Sequence, residues 1–193
     1  MIETERLRLR PWRLEDVDVL LELHSDVETM RYMADGRCPN RAECVEQIEQ
    51  SESHRRKHGF GLWAADLRAT GELVGWVGLT TPEWLPEVMP AVEVGYLFGR
   101  SYWGCGLATE AARRSLEYGF QELELRSIIG IHQTANVASA RVLTKLGMRE
   151  HGEMVHPGIG RALEVKRIDR PHFTPPRKKR NGFSRLVLGK PNG

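Results

Sequence analysis

The chain has 193 residues, 40% hydrophobic and 28% charged, with a net charge of +2, the composition of a globular protein and not of a disordered or fibrous one. No run of about 18 apolar residues occurs, so no spanning helix is expected, and the opening MIETERLRLRPW alternates charge with apolarity where a signal peptide would carry an apolar core. Three cysteines (Cys38, Cys44, Cys105) form no C-x-x-C pair and are too few for a disulfide scaffold, so a cytoplasmic protein with no membrane association is the expectation.

Residues 2–10 read as one strand, with Ile2, Leu7 and Leu9 on one face and Arg6, Arg8 and Arg10 on the other. After Pro11, Leu14, Val17, Leu20, Leu21 and His24 recur at helical spacing, with Glu15 and Asp16 in the first turn where the helix dipole favours acids. A second helix is predicted over 41–58, capped by Asn40 with Glu43 completing a capping box. Phe60–Ala64 and Leu73–Leu79 alternate around a turn at 68–71, as a hairpin does. Pro82, Pro86 and Pro90 mark a loop holding Trp84. Strands are predicted at 92–98, 128–131, 148–155 and 162–168, and helices at 109–120 and 137–146, with Gly147 as the cap glycine of the latter. The expected fold is α/β or α+β: a mixed, mostly antiparallel sheet with helices on its faces.

Charge is distributed unevenly. Residues 161–193 hold ten lysines and arginines against two acids. Residues 1–170 are expected to form the domain and 171–193 a basic tail. Such a tail suits a solvated terminus, or contact with RNA or the ribosome, but it carries no aromatic ladder for stacking bases.

The stretch SYWGCGLATEAARRSLEYGF (101–120) sets Gly104 and Gly106 between a strand and a helix start. Two such glycines let backbone N–H groups converge, and the helix N-terminus adds unpaired N–H groups and about half a positive charge. This arrangement suits a phosphate or pyrophosphate; a tight turn with a glycine cap has the same spacing. No Gly-Lys-Ser/Thr follows, which excludes a Walker A loop. Position 109 is Thr where a dinucleotide fingerprint has Gly or Ala, which argues against nicotinamide binding. The seven histidines show no metal-ligand spacing, so no metal is expected.

VEVGYLF (92–98), SYWGCGLATEA (101–111), NVASARVLTKLGM (136–148) and ETERLRLRPW (3–12), in this order, resemble the GNAT superfamily of acyl-CoA-dependent N-acetyltransferases, in particular its RimJ/RimL-like branch. The resemblance implies a central pair of splayed strands and acetyl-CoA as co-substrate. It places the pyrophosphate on the amides of Gly104, Cys105, Gly106, Leu107, Ala108 and Thr109. Ser101 stands where the family has Gln or Arg, which removes one side-chain contributor. The strand before the loop would offer pantetheine its backbone at Tyr96, Leu97 and Phe98, with Gly95 as a bulge. Asn136 would sit at the mouth of the splay as N-cap and cofactor ligand. Many GNAT enzymes carry a Tyr seven residues after this Asn as the acid for the leaving thiolate. Here that residue is Leu143, leaving Ser139 or water. Glu93 is the candidate base, acting through water. An acyl-Cys105 intermediate has no histidine partner, so direct transfer in a ternary complex is expected.

The implied function is transfer of an acetyl group to a primary amine, either a protein N-terminal α-amine or a small molecule. An α-amine, with pKa near 8, demands less of a weak base than lysine at about 10.4. A non-catalytic acyl-CoA sensor and a ribosome- or RNA-associated protein are the rival readings. The oligomeric state, a homodimer included, is open.

Overall fold

The strand expected over 2–10 is two strands, β1 (Ile2–Glu3) and β2 (Leu7–Arg10), folded on each other with Ile2 opposite Leu9. The Thr4 hydroxyl accepts the Leu7 N–H at 2.8 Å and turns the chain between them, a local side-chain bond that competes with the extended ladder. The computed structural model describes residues 1–173. The basic tail expected over 171–193 lies outside the described residues from 174 onward, and Phe173 still packs on the body, its ring 5.1 Å from Phe120.

A 3-10 turn over Leu14–Asp16 leads into α1 (Val17–Ser25), and Leu14, placed on the buried face by its spacing, is exposed in that turn. The short α2 (Val27–Met30) follows. Next comes α3 (Arg41–His58), which opens on the expected capping box, with both Asn40 and Glu43 bonded reciprocally. Strands β3 (Leu62–Leu67) and β4 (Leu73–Thr80) form the hairpin. Ala65 pairs with Gly75 and Asp66 with Leu73, which leaves Val74 as the extra residue of a bulge. The rest is β5 (Glu93–Phe98), α4 (Leu107–Gln121), β6 (Ser127–Gln133), α5 (Val137–Lys145), β7 (Arg149–Val155) and β8 (Ala162–Asp169).

The eight strands form one sheet in the order β1-β2-β3-β4-β5-β6-β8-β7, antiparallel except for the parallel pair β5–β6. This is the mixed, mostly antiparallel α/β fold that the sequence implied. One face buries Leu9, Trp63, Val77, Phe98 and Ile128 under α4 and α5, against Leu116 of α4. The other buries Ala64, Trp76 and Leu97, with Trp12, against Leu20 of α1 and Ile48 of α3.

Arg10, assigned by period two to the solvent face, is buried instead. Its guanidinium forks onto two carboxylates, Asp16 at 2.7 and 2.8 Å and Asp66 at 2.7 and 3.0 Å, and so joins β2, β3 and the turn before α1. The bonds that Arg10 donates to Asp16 and Asp66 raise its pKa against the cost of desolvation. Removing one partner of a buried charge pair is far costlier than removing an exposed one. Asp66→Ala is therefore expected to lower unfolding free energy by about 3 kcal/mol in urea titration. Arg8→Ala on the exposed face should change it by less than about 1 kcal/mol.

Candidate active site

Strand β5 pairs with β4 along its whole length, and β6 pairs with β8 along its whole length. Between β5 and β6 the ladder has a single pair, Glu93 opposite Ile129, with the Ile129 N–H bonded to the Val92 carbonyl at 2.9 Å. Beyond that rung the two strands diverge and leave a slot. Because the Gly99 N–H bonds to Val74 of β4, alternation turns the backbone of Leu97 and Gly95 toward β4 and that of Tyr96 and Phe98 into the slot.

The pantetheine-facing residues implied by the resemblance are thus divided. Tyr96 presents its backbone to the opening. Phe98 does so through its N–H, its carbonyl being taken by the Trp103 indole N–H at 2.7 Å. Leu97 is a correction: its backbone pairs across to Trp76 and its side chain is buried in the α1–α3 core, so it presents nothing to the slot. The bulge expected at Gly95 is absent as well, since the register against β4 runs unbroken from Glu93 to Phe98. The divergence lies between β5 and β6, past their one rung at Glu93 and Ile129.

Glu93 stands at the vertex on the α1–α3 side of the sheet, the side it shares with Gly95 and Leu97. It is half-buried, with its carboxyl surrounded by protein. Burial pushes that carboxyl up to about 8, against the opposing pull of a hydrogen bond from the Ile131 N–H. That N–H points the same way as the Ile129 N–H, so the Glu93 carboxyl occupies the place of the next rung. On the same side, below the vertex, a cavity of about 230 Å³ is lined by Glu87, Val92, Ile129, His151, Val165 and Arg167, among others. Trp84 lies flat on His156, ring centroids 4.7 Å apart.

The opposite side holds Tyr96, Ser139 and Asn136. Asn136 caps α5 by accepting the Ser139 N–H at 3.1 Å. The Tyr96 hydroxyl lies 2.9 Å from Ser139 Oγ and so links β5 to α5 across the mouth of the slot. Burial raises the Tyr96 phenol to about 12, the bond with Ser139 opposing it. Leu143 is buried against Gly130, where an added Cβ would lie 2.6 Å from a Leu143 methyl. The helix therefore sits flush on β6, and position 143 belongs to the core.

Past β5, a 3-10 turn over Arg100–Tyr102 and two left-handed glycines, Gly104 (φ +76°) and Gly106 (φ +86°), bring the chain to the start of α4. The first helical bond runs from Glu110 N–H to the Gly106 carbonyl at 3.0 Å, and no side chain caps the helix. The Cys105 N–H closes the turn at 103–104, and among the described residues the N–H groups of Gly104, Gly106, Leu107, Ala108 and Thr109 have no hydrogen-bond partner. A Cβ at Gly104 would meet nothing within 4 Å, and one at Gly106 would meet Arg6 Nη2 at 3.6 Å. Free amides, open space and a helix N-terminus together fit a phosphate group.

Sequence reasoning missed what holds this loop from behind. Arg6 donates to the Cys105 carbonyl at 2.9 Å and to Glu110 at 2.7 Å, and Thr4 donates to the same carboxylate at 2.6 Å. Pulling the Cys105 carbonyl backward leaves the amides facing outward. The signal was present as Thr4 and Arg6 in the opening strand and an acid in the first turn of the helix, but their pairing spans about a hundred residues. Cys105 itself is exposed, its thiol bonded to the Tyr102 carbonyl at 2.9 Å.

A family model described as the acetyltransferase (GNAT) domain matches residues 6–149. The chain is 34% identical over 146 residues to YkkB of Bacillus subtilis, covering 75% of this chain and 83% of that protein. It is 32% identical over 152 residues to FsC-acetyl coenzyme A-N(2)-transacetylase of Aspergillus fumigatus, covering 76% and 64%. Among solved structures, a GNAT-family acetyltransferase from Bacillus anthracis matches with a TM-score of 0.74 at 26% identity, covering 88% of this chain and 98% of the other.

Proposed function

The chain belongs to the GNAT acetyltransferase family as an acetyl-CoA-dependent N-acetyltransferase, and from that premise we propose that it acetylates a low-pKa primary amine, a protein N-terminal α-amine or a small molecule, by direct attack in a ternary complex. The observation that carries the proposal is the single rung between β5 and β6 beside five unpartnered amides within 104–109.

The cradle at Gly104–Thr109 fits the pyrophosphate of acetyl-CoA, and the backbone of Tyr96 and Phe98 and the Asn136 side chain line the slot for its pantetheine arm. Acetyl-CoA supplies the thioester. The protein holds it through the sheet, with Glu93 on one side and Ser139 on the other. The acceptor enters from the Glu93 side of the sheet. There Glu93, directly or through one water, takes the ammonium proton.

The match of proton affinities favours the acceptor class. With Glu93 pushed up to about 8, transfer from an α-ammonium of pKa about 8 is close to level, whereas a lysine ammonium at about 10.4 is more than two units uphill. One relative is named for acetyl transfer to a nitrogen of FsC, which agrees with a small-molecule acceptor. Assignment to the RimJ/RimL-like branch is part of the same proposal and is supported by the motifs at 101–111 and 136–148. The test is thiol release from acetyl-CoA across peptides with free N-termini, small amines and Nα-blocked lysine peptides. Turnover on either of the first two classes, at least about tenfold above the third, is expected. Binding of acetyl-CoA without thiol release on any amine would favour the sensor reading.

A further inference from the structure

The mouth of the slot contains a hydroxyl pair that composition and motif did not foreshadow. Tyr96 projects from β5 on the α4–α5 side, Ser139 from the first turn of α5, and their oxygens are 2.9 Å apart. Each hydroxyl has one proton to give, so the direction of this bond decides what Ser139 can do. If Ser139 donates to Tyr96, its proton is used up within the protein. If Tyr96 donates to Ser139, the Ser139 proton is free to point into the slot.

Either oxygen can donate in this bond, and chemistry favours one direction. A phenol is a stronger donor than an aliphatic alcohol and its conjugated oxygen a weaker acceptor, so Tyr-to-Ser donation is favoured. The other acceptor open to Tyr96, the Ser139 carbonyl, is longer at 3.3 Å. Asn136 already holds the Ser139 N–H at 3.1 Å and fixes the serine in the first turn. Leu143, one helical turn on, is buried on Gly130 and carries no hydroxyl.

Resting on the acetyltransferase reading, we propose that Tyr96 is a positioning residue: its hydroxyl donates to Ser139 Oγ and holds that oxygen in the orientation that turns the Ser139 O–H to the sulfur of the bound coenzyme. The protein's contribution is a hydrogen bond, not a proton. As charge develops on sulfur the electron pair stays there, the Ser139 O–H stabilises it, and no proton leaves Tyr96. The sheet thus divides the labour. Glu93 serves the incoming amine on one side, and the Tyr96–Ser139 pair serves the departing sulfur on the other.

The experiment compares the wild type with Tyr96→Phe, Ser139→Ala and the double variant, by calorimetric affinity for CoA and for desulfo-CoA and by steady-state kinetics. The wild type is expected to bind CoA about fivefold more tightly than desulfo-CoA, the worth of one hydrogen bond. Both single variants should reduce that preference below about twofold while leaving desulfo-CoA affinity unchanged. In each, kcat should fall about tenfold with the KM for acetyl-CoA within about twofold. The double variant should be no worse than Ser139→Ala, because Tyr96 acts through the serine. The proposal is overturned if Tyr96→Phe keeps the wild-type preference for sulfur, or if the two losses multiply. Weaker desulfo-CoA binding in Tyr96→Phe would mean that the tyrosine merely shapes the slot, which also overturns it. Failure of the wild type to bind either coenzyme would instead remove the acetyltransferase reading itself.

Discussion

Replacing Gly106 with glutamate is expected to lower acetyl-CoA affinity by on the order of 100-fold, measured by calorimetry. The residue sits at φ +86° at the start of α4, a conformation that costs an L-residue about 1–2 kcal/mol. Its N–H and those of Leu107, Ala108 and Thr109 have no partner among the described residues. A carboxylate at this point would compete for them and repel the incoming phosphates. Losing two charge-assisted hydrogen bonds at the lower end of their range, about 1.5 kcal/mol each, accounts for the magnitude. Stability should change little, because a negative charge at a helix N-terminus offsets part of the backbone strain. Gly106→Ala separates the two effects, since it carries the strain without the charge and should lose about tenfold or less. Wild-type affinity in the glutamate variant would show that the loop is no phosphate cradle.

Glu93→Gln is expected to lower kcat by about 10²- to 10³-fold, the range of a general base, and to change two pH profiles. The first is activity. With the carboxyl pushed up to about 8 by burial, the basic form accumulates as pH rises, so wild-type rates should climb through about pH 8. An acceptor amine that titrates below this window keeps the substrate from masking the limb, and in the glutamine variant the limb should vanish. The second profile is stability. The folded chain holds a proton on Glu93 that the unfolded chain releases in the usual carboxylate range. The stability contributed by this group is full below that range and is lost as pH rises through about 8. Urea titrations from pH 5 to 9 should show a decline in the wild type that the variant lacks. An unchanged rate with an unchanged stability profile would remove Glu93 from the proton path.

Features that depend on near neighbours were readable in the sequence. The Asn40–Glu43 capping box, the cap glycine at 147 (φ +86°) and the glycine pair at 104 and 106 all formed as their spacing required. Periodicity failed where a distant partner overruled it. Arg10 goes inward because Asp16 and Asp66 wait there, and residues 2–10 break because Thr4 captures Leu7. Gly95 suggested a bulge, but a glycine within a strand marks either a bulge or a close approach. Here an added Cβ would come 3.6 Å from the Trp76 ring, ordinary contact. The slot was expected from family resemblance, and it opens past the single rung Glu93–Ile129, where the inner edges of β5 and β6 stay unpaired. The Tyr96–Ser139 link and the Arg6–Glu110 brace join residues 43 and 104 apart, a separation at which no local pattern operates.

An open strand margin is normally a liability, because its bare amides and carbonyls recruit foreign chains into aggregates. Parting β5 from β6 creates two such margins, yet neither lies on the outside of the molecule. They face one another within the sheet, with α4 packed over β5 and α5 over β6. A polymerising neighbour would have to thread between them, whereas a slender, amide-bearing guest fits. The fold thereby keeps a sheet's adhesive chemistry available while denying it to other copies of itself.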